Sequence, residues 1–142
     1  MTQVHSLAAL AGRTLLALMF VTSGWSKIGG YAGTQQYMEA AGVPGALLPL
    51  VILVELVGGL MIVVGFQTRL AALALAGFTA VAAILFHADF SDGMQTILFN
   101  KNVSIVGGFL LLAAFGPGAW SLDAWRARRT GEVGTVPAAG RA

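Results

Sequence analysis

Cysteine is absent from this chain of 142 residues. That excludes disulfides, thiolate metal sites, iron–sulfur ligation and any dithiol relay carried by the chain itself. Charge is scarce as well, with Asp, Glu, Lys and Arg together at 10%, where soluble domains carry about 25%. Histidine occurs twice, as His5 and His87. What is abundant is apolar: 57% of residues against the roughly 45–50% of soluble proteins, a surface for which water is a poor solvent. The net charge of +2 comes largely from arginines near the C-terminal end rather than from a face that could track phosphates, so no nucleic acid partner is expected.

Four apolar stretches stand out, Leu7–Trp25, Ala46–Phe66, Leu70–Phe86 and Leu98–Phe115, each near the roughly 20 residues that a bilayer core requires. Strand-like alternation is missing and Ala, Leu, Gly and Met dominate, so helices are the only plausible spanning elements. The expected fold is an all-α membrane protein, a four-transmembrane-helix bundle in the lipid bilayer. The first stretch reads as a span rather than a signal peptide, because no basic region precedes it, Arg13 falls inside it and no Ala-x-Ala-like site follows. Gln67-Thr68-Arg69 is a tight turn that makes the second and third spans antiparallel neighbours. Only Ile28–Gly45 is a loop of real length.

Orientation follows from the basic residues: Arg69, Arg126, Arg128, Arg129 and Arg141 share one side, and Lys27 and Lys101 lie toward the other. Both termini are therefore expected on the cytoplasmic side. Gly116-Pro117-Gly118 ends the fourth span, and Trp120 and Trp125 after it suggest a short segment on the inner surface. Residues 1–125 thus form the transmembrane domain and 126–142 a basic, disordered cytoplasmic tail.

The second and fourth spans contain matching octets, Val54–Met61 and Val103–Leu110, each with Val at the first and fourth positions and a Gly-Gly pair at the fifth and sixth. Both copies run in the same direction, which suggests two helical hairpins related as a parallel repeat. The paired glycines are then expected to let the second and fourth spans approach each other closely.

Glu55 is the only acid inside a span, near mid-membrane, where an unpaired carboxylate costs on the order of 3 kcal/mol or more. Arg13 from the inner side and Lys101 from the outer side are both plausible partners. Arg13, Phe20, Gly24 and Lys27 form one stripe of the first span, expected to face the bundle. The outer half gathers Lys27, Glu55, His87, Asn100, Lys101, Asn102 and Ser104, as a cavity open to the outside would. Glu55 and His87 are the catalytic candidates, Lys27, Asn100, Lys101, Asn102 and Ser104 the cofactor-binding ones, and Arg13 a structural ion-pair residue. No metal is expected, since His87, Asp89 and Asp92 at a loop edge ordinarily face water. Haem is not expected either, because His5 and His87 fall on opposite sides of the membrane.

Gly24-x-x-Lys27, Gly42-x-Pro44, Glu55-x-x-Gly58-Gly59, Gly65-x-x-Thr68-Arg69-x-Ala71-Ala72, His87, Asn100-Lys101-Asn102 with Gly107-Gly108, and Ser121-Leu122-Asp123 occur in this order from Arg13 to Asp123. In that order and spacing they resemble the DoxX family of small bacterial membrane proteins. The resemblance implies a four-helix bundle in the cytoplasmic membrane. It also implies association with quinone-linked oxidoreductases and with oxidative-stress or thiol-handling complexes, without transferring an enzyme class.

Three functions are open on this reading. The first is a membrane subunit that holds a quinone or similar lipophilic ligand in the outer-half cavity, with His87, Lys101 or Asn102 on the ring oxygens and Glu55 carrying a proton. Such a subunit needs a protein partner to supply electrons. The second is a small proton- or cation-coupled carrier, which with four helices would work as a homodimer. The third is an assembly or anchoring factor without chemistry of its own.

Overall fold

The computed structural model describes residues 3–131. Six α-helices follow one another: α1 (Gln3–Gly29), α2 (Tyr31–Ala40), α3 (Leu48–Val64), α4 (Thr68–His87), α5 (Gly93–Phe115) and α6 (Leu122–Thr130), with one turn of 3-10 helix, Gly45–Leu47, leading into α3. Four segments are long and apolar enough to cross a membrane: α1, Gly45–Val64, α4 and α5. The chain is therefore an all-α integral membrane protein with no strand among the described residues. The stretch read as the long loop Ile28–Gly45 contains α2, and Arg126–Thr130, placed in the tail, belong to α6. The expected disorder of the tail, and Arg141 with it, otherwise fall outside the described residues.

Packing is closest within two pairs, α1 with α3 and α4 with α5, and looser between α3 and α4. Small residues decide the first pair. A Cβ on Gly24 would stand 3.0 Å from the Leu56 nitrogen, and one on Gly59 would stand 2.8 Å from Val21 Cγ2 and 3.4 Å from the Ala17 oxygen. Lipid supplies no hydrophobic drive between helices, so such backbone proximity is where association comes from. The centre of the bundle is filled by Ala17, Phe20, Ile62, Leu75, Ala76 and Phe109, with the Phe20 and Phe109 rings edge to face at 5.2 Å.

The two glycine pairs do not bring α3 and α5 together as the repeat suggested. Gly58 faces Leu75 of α4, Gly59 faces α1, Gly108 meets Leu16 of α1, and a Cβ on Gly107 would meet nothing within 4 Å. The bundle closes in the order α1, α3, α4, α5, so the two repeated helices lie across it from each other. Gly24→Ala and Gly59→Ala are accordingly expected to lower stability by about 1–3 kcal/mol through overpacking, and Gly107→Ala to leave it unchanged or slightly raised. Thermal melting in mild detergent measures all three.

At the end where the chain terminates, a polar clasp joins segments far apart in sequence. α3 stops at Gly65, left-handed at φ 71°, with Gly65 N–H on the Ile62 carbonyl and Phe66 N–H on Met61, a glycine-terminated Schellman cap. Across the turn, the Asp123 carboxylate accepts from Gln67 N (2.8 Å), Thr68 N (2.9 Å) and Thr68 Oγ1 (2.7 Å). It thus caps the N-terminus of α4 from another helix, where a negative charge also meets the helix dipole. Asp123 N in turn donates to the Gly65 carbonyl at 2.8 Å.

Burial pushes the Asp123 carboxyl up, but the bonds from Thr68 and Gln67 and the nearby Arg126 charge outweigh it and hold the group below the usual carboxylate range. A folded pKa below the unfolded one gives stability that is present above the unfolded value of about 3.9 and is lost as pH falls through the lowered folded value. Melting curves taken from about pH 6 down to about pH 3 should show a steeper acid limb for wild type than for Asp123→Asn. Identical limbs would mean that the cap adds nothing.

Candidate binding cavity

The opposite end of the bundle holds the one acid that enters a span. Ser23 and Lys27, one turn apart on α1, face the same way, and the close approach at Gly24 brings Glu55 of α3 against them. Lys27 Nζ lies 2.8 Å from Glu55 Oε2 and 3.0 Å from Oε1, and donates to Ser23 Oγ at 2.6 Å. Ser23 Oγ is itself 3.3 Å from Oε1. Glu55 is 5% exposed. Its Oε2 makes the charge contact with Lys27 without hydrogen-bond alignment, and no other described polar group bonds to it. A buried carboxylate oxygen with an unused lone pair is uncommon, and such atoms tend to mark places where something else binds.

Beside this pair lies a cavity of about 420 Å³, within the range of small-molecule sites. Its walls are largely apolar: Val51 and Val54 of α3, Phe78 and Ala82 of α4, and Met38 of α2 among them. Lys27, Glu55 and His87 are its ionisable lining, with Thr34 and Tyr37 from α2. The space exists because α3 and α4 touch at Gly58 and Leu75 and are parted beyond that level. α2 covers the end away from the Asp123 clasp, where the Tyr37 ring stacks on Phe86 at 5.3 Å and Met38 is buried. Leu47, Leu50, Val81 and Leu85 line the cavity and are exposed on the membrane-facing surface, so the opening between α3 and α4 faces lipid.

His87 Nδ1 lies 2.7 Å from Gln95 Oε1. The amide oxygen only accepts, so in the neutral ring the proton sits on Nδ1 and Nε2 is the acceptor left for a ligand. Asp89 and Asp92 are engaged elsewhere: Asp89 accepts from Ser91, whose hydrogen bonds hold its carboxyl low, and Asp92 caps α5 through Met94 N.

Of the residues singled out in the sequence, the structure brings Lys27, Glu55 and His87 to one cavity and leaves the α5 group apart. Asn100, Lys101 and Ser104 are exposed, and Ser104 Oγ bonds back to the Asn100 carbonyl at 3.0 Å. Asn102 is buried, yet no α5 residue lines the cavity. Neither expected partner of Glu55 is the actual one. Lys101 is on the wrong helix face, and Arg13 is buried at the other end with its guanidinium on main-chain carbonyls: Pro117 at 2.5 Å, Trp120 at 2.6 Å and Val63 at 3.4 Å. Its hydrogen bonds go to carbonyls, and the carboxylate whose charge acts on it is Asp123 rather than Glu55. Sequence reasoning missed Ser23, Tyr37, Phe86 and Gln95. The four-residue step from Ser23 to Lys27 was the available signal for the first; the others depend on where α2 and the start of α5 fold back.

Comparison with known proteins places this architecture among its relatives. The DoxX family profile matches residues 8–88. Inner membrane protein YqjF of Escherichia coli is 56% identical over 123 residues, covering 87% of this chain and 95% of its own length. Inner membrane protein YphA of the same organism is 40% identical over 121 residues, covering 80% and 86%. A Bacillus subtilis protein named "Putative oxidoreductase CatD" is 28% identical over 85 residues, covering 60% and 63%. No solved structure matches the chain.

Proposed function

Because the chain belongs to the DoxX family, we propose that it is a membrane subunit of a quinone-linked oxidoreductase or of a related oxidative-stress or thiol-handling complex, holding a quinone or similar lipophilic ring in the cavity beneath α2. The observation that carries this reading is the buried Lys27–Glu55 pair, whose Oε2 has the Lys27 charge at 2.8 Å but no hydrogen bond, beside an apolar cavity that opens to lipid. A ligand dissolved in the bilayer can enter between Leu50 and Val81 without crossing water. The oxidoreductase in the name of the B. subtilis relative supports the redox part of the reading.

A bound quinone would supply two-electron, two-proton redox chemistry. The residues of this chain bind and orient it and manage protons. Lys27, already fixed by Ser23 and Glu55, offers its remaining N–H to a ring oxygen. Glu55 Oε2 accepts a hydroxyl proton, and His87 offers Nε2 on the α4 side. Phe78, Val54 and Met38 hold the ring and exclude water. With no cysteine in the chain, electrons come from a partner protein. The cluster of Arg69, Arg126, Arg128 and Arg129 at the clasp end favours cytoplasmic termini and a cavity in the outer half of the bacterial inner membrane.

Binding of a photoreactive short-chain quinone to the intact protein in lipid nanodiscs tests the reading. Lys27→Met, Glu55→Gln and His87→Ala should each weaken labelling by about tenfold or more, equivalent to ~1.4 kcal/mol. Lys101→Met and Asn100→Ala should label as wild type. Val81→Trp, at an exposed position on the rim, should abolish labelling with the melting temperature unchanged. Labelling that is indifferent to Val81→Trp and to the three cavity substitutions would remove the proposal and favour an anchoring role.

A further inference from the structure

α6 turns its small and acidic residues toward the bundle and its large ones away. Asp123, Ala124 and Ala127 are half-buried, whereas Leu122, Trp125, Arg126 and Arg129, which share one face of the helix, are all exposed. The place of that face is fixed, because Asp123 ties α6 to the turn between α3 and α4 and Ser121 lies against Gly65. Three spans begin or end here, α3 at Val64, α4 at Thr68 and α5 at Phe115, so the face stands at headgroup depth.

The charge around it is of one sign. Arg69 joins Arg126, Arg128 and Arg129, and Asp123, the one described acid at this end, has both oxygens bonded to Gln67 and Thr68. The Arg126 guanidinium lies over the Phe66 ring at 5.5 Å and that of Arg129 over Trp125 at 4.0 Å. Stacking holds a guanidinium by its flat face and leaves its N–H edge for an anion. Arg128 reaches the Ala119 carbonyl at 3.4 Å, whereas Arg69, Arg126 and Arg129 donate no hydrogen bond and form no ion pair among the described residues. Arg69 lies beside Gly116, next to the Phe115 ring, which is 82% exposed at the end of its span.

We propose that this face binds anionic phospholipid of the leaflet it meets, with Arg69, Arg126 and Arg129 on the phosphodiester and the acyl chains beginning at Phe115. Charge complementarity selects the sign of the occupant, and depth selects its kind. A guanidinium fork pairs with two phosphate oxygens at once, and the exposed rings of Trp120 and Trp125 suit the level of the glycerol and ester groups. A soluble phosphate would satisfy the arginines but leave Phe115, Leu122 and Trp125 bare; a lipid covers both. A zwitterionic lipid brings an ammonium that these cations repel. The cavity lies at the opposite end of the bundle, so this proposal and the quinone reading fail independently.

Tryptophan fluorescence of the full chain reads the contact. Trp25→Phe with Trp120→Phe leaves Trp125 as the one tryptophan, and this parent is placed in phosphatidylcholine nanodiscs carrying a trace of brominated lipid. Brominated phosphatidylglycerol should quench Trp125 well beyond the same trace of brominated phosphatidylcholine. Arg69→Gln should lower that preference about fivefold, and Arg126→Gln with Arg129→Gln about tenfold or more. Arg126→Lys with Arg129→Lys should keep most of it, and Lys101→Gln, toward the other end of α5, all of it. Equal quenching by the two lipids, a preference untouched by loss of the arginines, or its disappearance on adding inorganic phosphate at constant ionic strength would each overturn the proposal. A photoreactive residue in place of Leu122 should label lipid in native membranes, and labelling of another polypeptide instead would overturn it as well.

Discussion

Arg13→Met should lower the stability of the folded protein by about 3 kcal/mol or more, the largest single loss expected outside the apolar centre. Arg13 is 4% exposed, and its guanidinium donates to the Pro117, Trp120 and Val63 carbonyls. Those carbonyls belong to the turn after α5 and to the last turn of α3, where the helix has no amide left to bond them. Methionine preserves most of the side-chain volume but leaves these acceptors without a donor in a site closed by Gly65 and Ser121. Arg13→Lys should recover little, because a single ammonium cannot reproduce a planar fork that reaches separate acceptors. Unfolding in detergent, or steric trapping in bilayers, measures the loss. Full recovery by lysine would show that charge alone matters there.

Lys27→Met is expected to destabilise by a comparable amount, about 3 kcal/mol, since it leaves the Glu55 carboxylate uncompensated in a span. The pair is bridged by Ser23 and its acid is 5% exposed, so water replaces the lost ammonium poorly. Glu55→Gln alone should cost less, because an amide is cheaper to bury than an unpaired charge. The double change Lys27→Met with Glu55→Gln should regain much of the single loss. The same cycle with Lys101 or Arg13 in place of Lys27 should show no coupling to Glu55. Additive losses for Lys27 and Glu55 would mean that their contact is energetically idle.

These two results would separate the ends of the molecule by job. The clasp of Arg13, Gly65, Thr68 and Asp123 closes one end, and among the described residues none of its buried side-chain polar atoms lacks a hydrogen bond. At the cavity end pairing is incomplete, with one carboxylate oxygen left without a hydrogen bond. Ligand chemistry is expected where a fold leaves polar groups unfinished, and integrity where it completes them.

The sequence by itself determined the membrane environment, the number of spans and the inward stripe of α1, because hydrophobic length and helical periodicity are local properties. It also determined that Glu55 needs a partner, since the cost of a bare carboxylate in a span does not depend on the fold. It did not determine which partner. Arg13 and Lys101 were the partners that depth along the spans offered, and Lys27 was not among them; the close α1–α3 crossing at Gly24 and Gly59 is what selects Lys27. The same limit applies to α5, whose Asn100, Lys101, Asn102 and Ser104 share the depth of the cavity but not its walls. Depth follows from position along a span and is legible one helix at a time. Azimuth depends on how all the helices are rotated against one another, and that rotation is set by interlocking small residues and by the Arg13 and Asp123 bonds between distant segments, so only the tertiary structure decided it.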